Sequence, residues 1–229
     1  MSSEFITSGN SHWYKSPTKD IYYPSATTIL SAFPKGEGFS KYLAAQASWE
    51  SSQEALQAAG KRGTNVHKGS EMLESGVTLN RALYTLQEWQ MLIGFVNWHQ
   101  KHKPKMLQME YGMVSDKLKT GGTIDRVYMI DSELVIWDLK SSGAIYDNYW
   151  AQVAIYAEMY EEKHKVKVAH TAILRMNDKK KGGFEYLTRS RIEWKKDLKI
   201  FKATRQLWDY INPDAQPKIV EVPDTLSLV

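Results

Sequence analysis

The chain has 229 residues, 42% of them hydrophobic and 24% charged, with 7 Pro and no Cys. That length can bury one full core, and the lack of Cys excludes disulfides, Cys-bound zinc and Cys-held iron–sulfur clusters. A net charge of +4 and a pI near 9.0 permit contact with a nucleic-acid backbone without requiring it, and no apolar run approaches the roughly 20 residues of a membrane helix.

The opening "MSSEFITSGNSHWYKS" has no basic segment followed by an apolar one, so no secretory signal is read and a cytoplasmic setting is expected. Residues 1–24 read as irregular. Ser25 or Thr27 caps a short helix in "SATTILSAF", and "FPKGEG" breaks it. Residues 39–59 read as helix and "GKRGT" as a break. Thr64 then caps a second helix, "NVHKGSEMLES", closed by Gly76. Another helix spans 80–102 and stops near Pro104. Strands follow at 106–114, 121–130 and 133–140, then a helix over 146–162. Strands at 165–176 and 183–190 flank "NDKKKGG", read as a solvated hairpin tip, and a last helix covers 191–211. The tail, 212–229, holds three Pro. The order predicts an α/β chain with a mixed β-sheet flanked by helices. It reads as one domain: a mainly helical annex over 1–104, an αβ core over 105–211 and the tail. Aromatics crowd the first fifty residues (Trp13, Tyr14, Tyr22, Tyr23, Tyr42, Trp49), as core or as stacking platforms for bases.

"GGTIDRVYMIDSELVIWDLKSS" reads as a hairpin turning at Asp131-Ser132. Tight antiparallel pairing sets Asp125 opposite Asp138, with Val127–Ile136 and Met129–Leu134 on the same face. Ile124–Leu139, Arg126–Trp137 and Tyr128–Val135 share the other. Both faces are largely apolar, which predicts a sheet covered on both sides. Two opposed carboxylates repel, and burial makes this worse, so a counter-charge is needed. Lys140 is one candidate; a divalent cation held by oxygen ligands is the other.

These residues resemble the PD-(D/E)xK nuclease superfamily. "GGTID", twelve residues, then "DLK" is similar to its D…(D/E)xK core. Gln152 and Tyr156 match the Q-x-x-x-Y helix of the RecB-like exonuclease branch. "RGTNVHKGSE" resembles that branch's G-(S/T)-x-x-H-x-x-x-E helix, supplying His67 and Glu71. "PSATTIL" is similar to the opening of the mitochondrial genome maintenance exonucleases and their phage relatives. The absence of Cys sets the chain apart from relatives that carry an iron–sulfur cluster.

The resemblance implies a restriction-endonuclease-like core and a DNA exonuclease acting on single strands or duplex ends, with Mg²⁺ or Mn²⁺. Asp125, Asp138 and the Leu139 carbonyl would hold the metal. His67 would add an imidazole, and Glu71 would bind a second metal or orient His67. Glu110, on the preceding strand, is a weaker metal candidate. Lys140 would position or deprotonate the attacking water or offset developing charge, and Gln152 and Tyr156 would contact the DNA backbone or brace the metal site. Ser25, Thr27, Arg62, Thr64, Lys68, Ser141 and Ser142 are the expected nucleic-acid contacts. The chain carries no helicase motif, so any unwinding would come from a helicase or recombination partner. A bacterial or phage source is expected, since no Arg/Ser-rich transit segment is present. An endonuclease of the same fold and a non-cleaving recombination accessory protein are the alternatives.

Overall fold

The structure is a computed structural model that describes residues 5–9, 11–36, 45, 48–177 and 180–218. Its centre is a five-stranded sheet in the order β4-β5-β6-β7-β8. The strands are β4 (Lys105–Ser115), β5 (Thr120–Ile130), β6 (Glu133–Lys140), β7 (His170–Met176) and β8 (Phe184–Ser190). All neighbours are antiparallel except β6 and β7. A parallel pair needs a long crossover, and helix α4 (Asp147–His164) supplies it.

Helices cover both faces, as the apolar hairpin predicts. On one side lie α4, the short α1 (Ala26–Leu30) and the last helix, α5 (Arg191–Ile211). Their core includes Ile29, Ile124, Val127, Ile136, Ile155 and Trp194. On the other side lie α2 (Trp49–Glu74) and α3 (Leu86–His102). There Val66, Phe95 and Trp98 pack on Tyr128, Trp137 and Leu139.

The β5–β6 hairpin turns at Asp131 and Ser132, both left-handed at φ 50° and 65°. That is the primed turn whose twist suits a two-residue hairpin. The predicted register follows from Ile130↔Glu133 to Arg126↔Trp137.

Three readings are corrected. Residues 1–24 are not irregular: β1 (Phe5–Ser8), β2 (Ser11–Lys15) and β3 (Tyr22–Pro24) form a small antiparallel sheet. Trp13, Tyr14 and Tyr23 are buried in it, so they are packing residues; Tyr42 lies outside the described residues. "GKRGT" is not a break, because α2 runs unbroken through it. Its N-cap is Ser48, in a reciprocal box with Ser51. Thr64 sits mid-helix and donates from Oγ1 to the Gly60 carbonyl at 3.2 Å. Gly63 is there for close packing: a Cβ would lie 3.1 Å from Ser141 Oγ. Residues 80–102 are not one helix; a 3₁₀ turn at Arg81–Leu83 precedes Thr85, which caps α3 with Glu88. Among the described residues, no helix is long and apolar enough to cross a membrane.

Candidate active site

The β5–β6 ladder ends at Arg126↔Trp137, one step short of the two acids. The Asp125 side chain replaces the next main-chain partner: its Oδ2 accepts the Leu139 N–H at 2.9 Å. Side-chain alternation slips here, since Ile124 joins the same core as Val127. The consequence corrects the expected face: the Asp125 carboxylate turns toward α2, where His67 Nδ1 lies 3.5 Å away.

Glu110 on β4 is also distorted, with a left-handed φ of 46°. For a residue with a Cβ that conformation costs roughly 1–2 kcal/mol, and such strain concentrates at functional sites. The two distortions gather His67, Glu110 and Asp125, whose ligand atoms lie within 4.8 Å of one another. Burial, then the charges of Asp125 and Glu71, push the Glu110 carboxyl up to about 7. Negative charge gathers here: Asp125 and Glu71 both act on Glu110, while of the nearby cations Arg126 already pairs with Glu74 and Lys140 with Asp138. Two carboxylates are hard oxygen donors and an imidazole is a borderline nitrogen donor, a set that fits a divalent cation, and the gathered negative charge is what such an ion offsets. His67 Nε2 donates to the Leu139 carbonyl at 2.9 Å, so that predicted ligand borders the cluster.

Asp138 lies outside this trio. It is buried, and its Oδ2 meets Lys140 Nζ at 2.7 Å while Oδ1 accepts from Gln152 at 3.3 Å. Burial pushes the Asp138 carboxyl up, partly offset by Lys140. Burial alone would lower the Lys140 pKa, but Asp138 and Asp125 outweigh it and hold the ammonium above its ordinary value. Lys140 also donates to Gln152 Oε1 at 3.2 Å and lies 4.5 Å above the Tyr149 ring. Gln152 and Tyr156 meet at 3.3 Å, one helical turn apart on α4. The Tyr156 ring lies against bare backbone, since a Cβ on Gly122 would come within 2.4 Å of it. The second Gly of "GGTID" is therefore a seat for the motif tyrosine.

Beneath the trio is a network that the sequence reading missed. Arg126 is buried and donates to the Asp125 carbonyl at 2.7 Å, Ser70 Oγ at 3.1 Å and Glu110 at 3.3 Å. Its Nε, and the Tyr128 hydroxyl, both bond Glu74. Glu74 follows His67 and Glu71 at helical spacing, and that periodicity was the available signal.

The expected nucleic-acid contacts are scattered. Ser25 caps α1, accepting the Thr28 N–H at 3.0 Å. Thr27 is exposed in a groove that Lys140 and Gln152 also line. Arg62 faces Glu88, Thr64 and Lys68 are exposed along α2, and Ser141 abuts Gly63. Ser142 gives its hydroxyl to the Ala144 carbonyl at 2.7 Å.

A mixed sheet between helices, with a Lys–Asp pair and a His–Glu–Asp cluster where a hairpin opens, is a restriction-endonuclease-like arrangement. The family model of the PD-(D/E)XK nuclease superfamily matches residues 68–218, about two thirds of the chain, and the chain belongs to that superfamily. A nuclease of this superfamily binds DNA, and its members generally use divalent metals. No curated protein matches. Among solved structures, the chain is similar to the "Putative exonuclease" of Eubacterium rectale at 11% identity and a TM-score of 0.39. That match covers 61% of this chain and 62% of the other, so the chain spans about three fifths of that structure. At that score the likeness says nothing of activity.

Proposed function

We propose that the chain is a metal-dependent DNA exonuclease, one nuclease unit acting on single strands or duplex ends. The observation that carries the hydrolytic part is the His67–Glu110–Asp125 cluster standing beside Asp138–Lys140 where β5 and β6 separate. His67, Glu110 and Asp125 would hold Mg²⁺ or Mn²⁺, and Asp138 would join them only by loosening its grip on Lys140. A bound ion of this kind polarises a phosphoryl oxygen and lowers the pKa of water. Lys140, kept as an ammonium by Asp138 and fixed by Gln152 and Tyr149, offers a positive charge to the phosphate as negative charge develops. Gln152 fixes that ammonium and is itself braced by Tyr156. Glu71 adds charge at the rim and orients His67. The requirement for an end rests on the likeness of "RGTNVHKGSE" and the Gln152–Tyr156 pair to RecB-like exonucleases. Unwinding by a partner and a bacterial or phage-infected cell fit the same likeness.

The test uses matched linear and circular single-stranded DNA with Mg²⁺, Mn²⁺ or EDTA, and a linear duplex in parallel. Metal-dependent loss of the linear forms alone, abolished in Lys140→Ala, is expected. Cutting of the circle would make the enzyme an endonuclease. No cutting of any form, with binding intact, would overturn catalysis.

A further inference from the structure

Beside Lys140 the structure opens a groove of about 750 Å³. One wall is α1 and the segment after it, with Thr27, Phe33 and Lys35; the other is the start of α4, with Tyr146 and Tyr149. Tyr149 is committed: Lys140 Nζ lies 4.5 Å above its ring. Tyr146 is different. It is 52% exposed and stands edge-on to Tyr149, with ring centroids 5.4 Å apart at 80°. It occupies the N-cap of α4, where Ser, Thr, Asp or Asn would ordinarily satisfy the first amides, and it makes no side-chain cap bond. Capping does not account for an aromatic ring here, and its edge-on contact with Tyr149 leaves half of the side chain open to the groove. The groove thus has a flat aromatic shelf, cations at Lys35 and Lys140, and a volume in the range that holds a compact ligand rather than a duplex.

We infer that the groove is a subsite for an unpaired nucleotide of the DNA strand, whose base stacks on Tyr146 next to the phosphate that Lys140 faces. Only a base free of its partner and neighbours can offer a face to a side chain, so the shelf selects single-stranded substrate. Stacking ignores base identity, because every base has a π-face, so cleavage would show little sequence preference. The Tyr149 ring, held under Lys140, couples the shelf to the reacting centre. This assignment rests on the nuclease reading for its substrate, but not for its test.

The test places 2-aminopurine at the first, second or third position from either end of a single-stranded oligonucleotide and follows its fluorescence on titration with protein. EDTA in one series and Ca²⁺ in another keep the strand intact. Wild type is expected to quench at least one position, Tyr146→Ala to lose that quenching, and Tyr146→Phe, which keeps the ring, to restore it. Where the enzyme turns over, Tyr146→Ala raises KM for single strands roughly tenfold and Tyr146→Phe restores it. Tyr146 is exposed, so circular dichroism melting should not move. Quenching unaltered in Tyr146→Ala, or no quenching at any position, overturns the subsite. If wild type cleaves nothing yet quenches through Tyr146, the nuclease reading fails and the subsite stands.

Discussion

Asp125 and Asp138 come from adjacent strands of one hairpin, yet their surroundings are opposite. Asp138 is buried against a single ammonium 2.7 Å away, and its other oxygen accepts from Gln152. Asp125 shares its space with Glu110 and Glu71, beside an imidazole at 3.5 Å and a guanidinium already engaged by Glu74. One acid arrives with its counter-charge; the other stands in a cluster with negative charge to spare. The difference shows where the fold is complete by itself and where it leaves room for a cation. It also divides the labour by element, since α4 serves Asp138 and α2 serves Asp125.

The comparison breaks first at Arg126. Arg126→Met leaves Glu74 buried without its counter-charge, with only the Tyr128 hydroxyl still bonded to it, and releases the Asp125 carbonyl. Losing one member of a buried pair costs about 3–5 kcal/mol, so a large fall in unfolding free energy is expected in urea titrations. The triple variant Arg126→Met/Glu74→Leu/Tyr128→Phe, which removes the Tyr128 hydroxyl that Glu74 accepts from, should recover most of it, because a buried pair replaced by apolar groups is often close to neutral. A single-variant cost under about 1 kcal/mol would mean that the α2 side does not depend on this network. On the α4 side, Lys140→Ala should lower hydrolysis by roughly 10²–10³-fold, the cost of losing one preorganised charge donor. Rates are compared at matched folded fraction, because Asp138 loses its partner as well. Nearly unchanged turnover would leave Lys140 a purely structural ion pair.

The hairpin was legible because its information is local. Two apolar runs around a two-residue turn fix a register, and the ladder follows it from Ile130 to Arg126. What failed one residue later was not local. Asp125 bonds the Leu139 amide with its side chain, and that depends on His67 and Glu110 arriving from α2 and β4. The hairpin pattern makes Arg126 only a cross-strand neighbour of Trp137; its partner Glu74 lies 52 residues away and comes into reach only when α2 docks. The unbroken course of α2 was hidden by two Gly that read as punctuation, although Gly63 is there so that Ser141 can approach. The N-terminal sheet was missed because strands of 4, 5 and 3 residues are too short to show a period.

A smaller effect sharpens the comparison at the imidazole. If the excess charge around Asp125 takes a divalent ion, Mn²⁺ should raise the melting temperature of wild type, and His67→Ala should weaken that response. A tenfold loss in affinity removes about 1.4 kcal/mol of ligand stabilisation at saturating metal. For a chain of this size that is roughly 3–5 °C. Lys140→Ala, on the other side, should keep the full shift. A response that His67→Ala leaves intact would place the ion elsewhere.

The smallest effect decides how firmly that imidazole is held. If Thr64 began a helix, Thr64→Ala would cost about 1 kcal/mol, the ordinary loss of an N-cap. His67 would then sit in a fraying first turn. In the structure Thr64 lies inside α2, and its hydroxyl only bonds back to the Gly60 carbonyl. Ala is the better residue in a helix interior by up to about 0.7 kcal/mol, and such back-bonding slightly destabilises helices. Thr64→Ala should therefore leave the melting temperature unchanged or a little higher, with Mn²⁺ binding intact. Ser48→Ala, at the true cap, should carry the loss instead. A stability loss at Thr64 with none at Ser48 would shorten α2 to the segment from Thr64. It would turn His67 from a ligand fixed about five turns into a helix into one that must be ordered when the ion binds.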